Sequence, residues 1–209
     1  GGTGSGKSEI VLNIAHMLAQ ETGKKVDLFD LDQTKPLFRS RDMQEAFAKD
    51  GVQIHFQEQF QDAPAQVGGV RASLYGDGYT LLDIGGGHQA AKYAGGYSDL
   101  LSKDNTVPVY VVNSYRPWTH SIEGIDGTMS HILNSIRLDH IYILGNPNLG
   151  YATTDNEFIN GLEKIDELFE GLTVVNSACV RKDIYDAVKG KTQKELIPIE
   201  LYLTYEWVD

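Results

Sequence analysis

The sequence lacks three features that mark common classes of protein. Its single cysteine, Cys179, cannot form a disulfide or a cysteine-pair metal or iron–sulfur site within one chain, and we expect a reducing, cytoplasmic setting. No apolar run approaches the roughly 18 residues that cross a bilayer. Acidic residues outnumber Lys and Arg by 29 to 18, and the net charge of −11 argues against binding to nucleic acid or to an anionic membrane surface.

Short apolar runs alternate with helical segments along the 209 residues. This alternation predicts right-handed βαβ units, and hence an α/β fold with a mainly parallel central sheet flanked by helices in three layers. A single domain over residues 1–209 is the economical interpretation. The predicted strands are 26–31, 52–56, 79–83, 107–112, 141–144 and 172–175, with an edge strand from Leu196 onward. The predicted helices are 8–20, 41–49, 88–101, 119–136, 154–169 and 182–188, whereas residues 57–77 carry few regular signals.

The first eight residues, GGTGSGKS, match the phosphate-loop pattern GxxxxGK[ST] in full. Glycines let the backbone approach phosphate oxygens closely, and successive N–H groups and the start of the following helix attract the anion. In this motif the lysine neutralises phosphate charge and the final hydroxyl ligates Mg²⁺. The sequence therefore predicts a nucleotide-phosphate site at Gly1, Gly2, Thr3, Gly4, Ser5, Gly6, Lys7 and Ser8. We also expect a buried strand before Gly1, at the centre of the sheet, since a strand precedes this loop in such folds.

Aspartates follow two of the predicted strands. Asp83 ends the strand YTLLD and precedes a run of glycines, which is the Walker B arrangement of a carboxylate near the metal's water shell. Gly86, three residues later, is placed for a backbone N–H that senses the γ-phosphate. Asp30 and Asp32 leave the strand after the first helix, where carboxylates orient attacking water or hold Mg²⁺ through water.

The order of these motifs resembles one family. The phosphate loop is followed by FDLD, LLDIGGG, VVN and ILGN, an order similar to that of the MinD/ParA/CbiA group of P-loop ATPases, in the SIMIBI class. The resemblance extends over essentially the whole chain. It implies ATP binding, ATP-dependent dimerisation and slow hydrolysis.

The resemblance also implies roles for individual residues. Asp30 and Asp32 match the paired aspartates of the family's first switch, with Asp32 orienting water, and Asp83 matches the Walker B aspartate. Asn146, at a predicted strand end, matches the asparagine that contacts adenine. The stretch that ends in Ser177 resembles the later loop that flanks the base.

Three departures from the family pattern are visible. MinD and ParA carry a lysine near the start of the loop, where this chain has Gly2; Arg39 or Arg41 is a candidate for compensating charge, and solvated arginines are an equal alternative. The cysteine pairs of the cluster-binding branches are absent, and the acidic, strand-like tail does not resemble the basic membrane-anchoring helix of MinD.

Trp118, two residues after Arg116, is either a partner or base-stacking residue or a cap on the core.

These observations predict an enzyme that binds Mg·ATP and hydrolyses it to switch a dimer or an interface with an unknown protein partner. In this prediction Lys7, Asp32 and Asp83 are catalytic, and Ser8, Asp30 and Asp83 hold the metal. ATP is favoured over GTP because Asn146 does not begin the NKxD pattern that recognises guanine. Two alternatives remain at this point: a biosynthetic amidase or ligase that phosphorylates a substrate carboxylate, with residues 57–77 as a substrate loop, and a non-hydrolytic interaction module.

Overall fold

The computed structural model describes residues 1–32, 43–56, 67–86 and 88–203, in which parallel strands alternate with helices. The strands are β1 Val26–Asp30, β2 Val52–His55, β3 Tyr79–Asp83, β4 Val109–Val112, β5 Tyr142–Gly145, β6 Ser177–Arg181 and β7 Glu195–Ile199. The helices are α1 Lys7–Thr22, α2 Gln44–Ala48, α3 Val70–Leu74, α4 His88–Gly95, α5 Ser98–Leu101, α6 Ile122–Ile136, α7 Asp155–Phe169 and α8 Tyr185–Val188. Pro117–Thr119 forms a single 3-10 turn before α6.

The described strands form two parallel sheets with the orders β2-β1-β3 and β4-β5-β6-β7. The predicted α/β class is confirmed, and β7 is the parallel edge strand that the tail pattern indicated. The phosphate loop lies between the carboxyl ends of the two sheets. A Cβ added to Gly1 would stand 2.2 Å from the carbonyl oxygen of Val111 in β4, and one added to Gly86, after β3, would stand 2.7 Å from the nitrogen of Thr3. The strand expected before Gly1 stays a prediction.

Burial explains why α1 and β1 form the centre of this arrangement. All five residues of β1 are buried, as expected for a parallel strand covered on both faces. Helix α1 packs Leu12, Ala15 and Ala19 against it and ends at Gly23, whose left-handed φ of 64° an L side chain rarely adopts. None of the described helices is long and apolar enough to cross a membrane.

Two predicted elements differ from the structure. The strand predicted at 172–175 is wrong: Leu172 and Val174 are 66% and 75% exposed, and β6 instead buries Ala178, Cys179 and Val180. A central parallel strand requires cover on both faces, which an apolar run alone does not guarantee. The helix predicted at 88–101 is divided into α4 and α5 beyond Gly95, where two glycines in succession weaken a helix.

Burial raises the pKa of the Cys179 thiol to about 12, so this thiol is protonated at neutral pH.

Two polar side chains of α1 hold the segment that follows β7. The buried carboxylate of Glu9 accepts hydrogen bonds from the backbone N–H groups of Tyr202 and Leu203. Asn13 donates to the carbonyl oxygen of Glu200 and accepts from its N–H, at 2.9 and 2.8 Å. Because Glu9 follows Ser8 directly, the helix that opens at the phosphate loop is fixed in place by the far end of the described chain.

We expect Glu9→Ala to lower the free energy of unfolding by about 2 to 4 kcal/mol, because it leaves two backbone N–H groups without their carboxylate acceptor. Urea denaturation followed by circular dichroism measures the change. Glu21→Ala, an exposed change on the same helix, is the matched control. Equal stability of the two variants would show that the segment after β7 does not depend on Glu9.

A second buried carboxylate, Asp27, lies within β1. It bonds to His55 Nε2 at 2.6 Å, accepts from Ser73 Oγ at 3.1 Å and pairs with Lys25 Nζ at 3.0 Å. Burial alone raises the pKa of Asp27, but the bonds from His55, Lys25 and Ser73 outweigh it and hold the pKa below its ordinary value of 3.8. The ionised carboxylate therefore stabilises the contact between β1, β2 and α3.

Because the folded-state pKa of Asp27 is lowered, its contribution to stability is complete above the ordinary pKa and is lost as the pH falls through the folded value. We expect Asp27→Asn to cost about 1 to 3 kcal/mol of unfolding free energy at pH 7. The difference from the unmodified protein should shrink below pH 3.8. Chemical denaturation across this range, with the exposed Asp77→Asn as control, tests the expectation; a pH-independent difference would contradict it.

Candidate nucleotide site

The carbonyl groups of the phosphate loop are held by hydrogen bonds. The oxygen of Gly2 accepts from Ser5 N and Lys7 Nζ at 3.3 and 3.0 Å, and that of Gly4 accepts from Arg116 Nε at 2.9 Å. The oxygen of Ser5 accepts from Asn146 Nδ2 at 2.8 Å. In a trans peptide the N–H points away from the C=O, so fixing the carbonyls also fixes the N–H groups.

Several N–H groups of this loop have no acceptor in the described part of the chain. Within the described residues, those of Thr3, Gly4 and Gly6 donate to no protein acceptor. Gly6 caps α1 at a φ of 93°, and a Cβ there would lie 2.2 Å from Asn146 Nδ2. The loop thus presents N–H groups at a helix start, as an anion-binding loop does, and a side chain at Gly6 would disrupt it.

The carboxyl ends of β1 and β3 bring three aspartates to the loop. Asp83 Oδ2 accepts a hydrogen bond from the Ser8 hydroxyl, and Asp30 is the neighbour of Asp83 across the two strands. Asp30 Oδ1 in turn accepts from the N–H of Asp32 at 3.1 Å. Each of the three aspartates is at most 4% exposed. The tertiary structure therefore links Ser8 and the three aspartates through successive contacts.

The glycines after β3 allow this close approach. A Cβ on Gly85 would lie 2.6 Å from the carboxyl carbon of Asp32, and one on Gly86 would lie 2.8 Å from the carbonyl carbon of Gly2. The segment after Asp83 therefore lies against both Asp32, which follows β1, and the phosphate loop. Side chains at these two positions would force the loops apart.

The donor set at this cluster fits a hydrated magnesium ion. In the described part of the chain, no group of three or more His, Cys, Asp or Glu side chains is arranged to hold a metal by itself. Mg²⁺ retains several waters and takes one or two protein oxygens together with phosphate oxygens. The Ser8 hydroxyl beside the Asp83 carboxylate is such a pair, and the ligand roles of Ser8, Asp30 and Asp83 stay predictions.

The two residues assigned to the base have different positions. Asn146, 2% exposed, follows β5 and supports the phosphate loop through Ser5; contact with adenine stays a prediction. Ser177 begins β6, in register with Leu144, and its hydroxyl donates to Glu195 at 3.5 Å; its contact with the base stays a prediction. The carboxyl end of β6 is Arg181, about 13 Å further along the strand. Ser177 is therefore the first residue of a strand and not a loop residue, because the strand begins later than its apolar pattern indicated.

The family model for the CobQ/CobB/MinD/ParA nucleotide-binding domain matches residues 1–184. The chain belongs to this family. No curated protein sequence matches the chain significantly. Family membership, together with the phosphate-loop motif at residues 1–8, makes the protein a P-loop nucleotide-binding protein.

This member of the CobQ/CobB/MinD/ParA family has two loop contacts that sequence reasoning missed. Arg116 donates to Gly4, and the indole of Trp118 covers Gly2, where an added Cβ would lie 2.4 Å from Nε1. The expectation for Trp118 was a partner or base-stacking residue or a cap on the core. The available signal was its place just after β4, since loops at the carboxyl ends of parallel strands converge on the ligand site. Arg39 and Arg41, the other candidate cations, lie outside the described residues.

Because Trp118 touches the phosphate loop, its fluorescence should report nucleotide binding. We expect Mg·ATP to change the emission of the protein, since phosphate charge and displaced water alter the surroundings of the indole. Trp118→Phe should abolish the change, whereas Trp207→Phe, which removes the chain's other tryptophan, should preserve it. A full response in Trp118→Phe would disprove the assignment.

Proposed function

We propose that the protein is a Mg²⁺-dependent ATPase of the MinD/ParA/CbiA type, in which hydrolysis switches a dimer or partner interface. The observation that carries the proposal is the contact between Ser8 and Asp83, which ties the phosphate loop to the carboxylate cluster. In this proposal, a nucleotide bound by the loop has its terminal phosphate next to the carboxylate cluster, so loss of that phosphate on hydrolysis affects the cluster. Family membership supports nucleotide binding.

Lys7 and Ser8 act on the phosphates in this proposal. Lys7 Nζ donates to the Gly2 carbonyl, and a phosphate oxygen is a stronger, charged acceptor for the same ammonium group. Ser8 and Asp83 are the residues that would hold Mg²⁺, directly or through water. When bound, the metal neutralises phosphate charge.

Asp32 is proposed to orient the attacking water. Its carboxylate is 4% exposed and packs against Gly85, so it has a fixed position at the edge of the site. A held carboxylate accepts a hydrogen bond from water and aligns the water's lone pair with the phosphorus atom. Positioning and charge neutralisation, rather than covalent chemistry, then account for catalysis.

ATP is the proposed nucleotide. Pro147, Asn148 and Leu149 follow Asn146, so the NKxD pattern for guanine is absent. A dimer is proposed from the family resemblance, with the difference that Gly2 provides no lysine to a partner's site. The loop itself is accessible, since Thr3 and Gly4 are exposed.

The test is phosphate release from Mg·ATP and Mg·GTP by the full-length protein, with its mass followed by light scattering. We expect slow hydrolysis of ATP and ATP-dependent dimers. Lys7→Ala should abolish hydrolysis by preventing productive binding, and Asp32→Asn should lower the rate about 100-fold or more with little effect on affinity. Lys49→Ala and Asp104→Asn, exposed changes of the same types, should leave both unchanged.

Other outcomes identify the alternatives. Tight binding without turnover would indicate a non-hydrolytic interaction module. Phosphate release that depends strictly on a small carboxylic acid would indicate a biosynthetic amidase or ligase. Turnover indifferent to Asp32→Asn would refute the proposed role of that carboxylate.

A further inference from the structure

Arg116 approaches the phosphate loop from the carboxyl end of β4. Its Nε–H donates to the carbonyl oxygen of Gly4 at 2.9 Å. The side chain lies along the backbone there, since a Cβ on Gly4 would be 3.3 Å from Nε and 3.5 Å from Cζ. The guanidinium is therefore in contact with the part of the loop that surrounds the anion.

The rest of the guanidinium is available to a ligand. Among the described residues, neither terminal nitrogen of Arg116 has a hydrogen-bond partner. A guanidinium carries five N–H donors and stays protonated at all physiological pH values. One donor is used to hold Gly4, and the terminal donors and the charge remain for phosphate oxygens.

The electrostatics of the site require such a charge. The chain carries a net charge of −11, and the cluster of Asp30, Asp32 and Asp83 lies at the loop itself. A polyphosphate is repelled by this field unless local cations compensate. Lys7 is one such cation, and Arg116, which is bonded to Gly4, is a second.

Trp118 explains why the second cation does not come from the loop. A side chain at Gly2 would meet the indole at 2.4 to 3.0 Å, so the position is closed to a lysine unless Trp118 moves. The segment that contains Arg116 and Trp118 thus excludes a cation at Gly2 and provides one at Gly4.

We propose that Arg116 is a positioning residue for the nucleotide phosphates. It fixes the Gly4 peptide and adds a permanent positive charge to a loop that has glycine, not lysine, at position 2. The inference rests on the proposed function only for nucleotide binding; it does not depend on hydrolysis.

The test is the dissociation constant of Mg·ATP, measured by titration calorimetry between 50 and 500 mM salt on the full-length protein. We expect Arg116→Gln to bind about 10-fold more weakly at low salt, with a flatter salt dependence, because glutamine keeps a donor for Gly4 but loses the charge. Arg116→Lys should recover most of the affinity and the salt dependence. Arg71→Gln, which removes an exposed arginine that pairs with Asp99, should bind like the unmodified protein. Thermal unfolding of each variant checks the fold.

Two results would overturn the inference. One is unchanged affinity and salt dependence in Arg116→Gln. The other is equal weakening in Arg116→Lys and Arg116→Gln, which would mean that the positive charge, which lysine retains, does not contribute to binding. If the unmodified protein binds Mg·ATP without hydrolysing it, the ATPase proposal fails while Arg116 is still judged by these affinities. If the unmodified protein does not bind Mg·ATP, both proposals fail.

Discussion

The orientation of the peptide groups in residues 1–8 is the constraint on which the rest of the site depends. Carbonyl oxygens at Gly2, Gly4 and Ser5 are held by hydrogen bonds, which also direct the N–H groups of the same peptide units, those of Thr3, Ser5 and Gly6. The donors come from α1, from the segment after β4 and from the end of β5. A short glycine-rich segment has many accessible conformations, and these contacts select one of them before any anion arrives.

The two sheets contribute opposite charges to this loop. The sheet that contains β1 and β3 supplies Asp30, Asp32 and Asp83, and the sheet that contains β4 and β5 supplies Arg116 and the amide of Asn146. In the proposed function, a phosphate chain bound between them would meet the carboxylates on one side and the donors of Arg116 and Asn146 on the other. This asymmetry suits a ligand that arrives with a magnesium ion, because the carboxylates attract the metal and the cations attract the free phosphate oxygens.

Close backbone contacts allow the two sides to influence each other. Gly85 touches Asp32 and Gly86 touches the phosphate loop, so a displacement of any one segment is opposed by the others. On the opposite side of Ser8, Glu9 binds the segment after β7. Coupling of this kind between neighbouring loops is what the proposed switch requires.

Local pattern determined much of this protein in advance. The phosphate motif, the strand YTLLD that ends in Asp83, the paired aspartates after β1 and the parallel α/β class all follow from residue types at short spacings, because backbone geometry converts these spacings directly into structure. The start of β6, the position of Ser177, the role of Asn146 beneath Ser5 and the contacts of Arg116 and Trp118 with the loop were decided only by the tertiary structure. They depend on which strand ends become neighbours and on burial from both faces of a sheet, and the contacts of Arg116 and Asn146 with the loop join residues more than 100 positions apart in the chain.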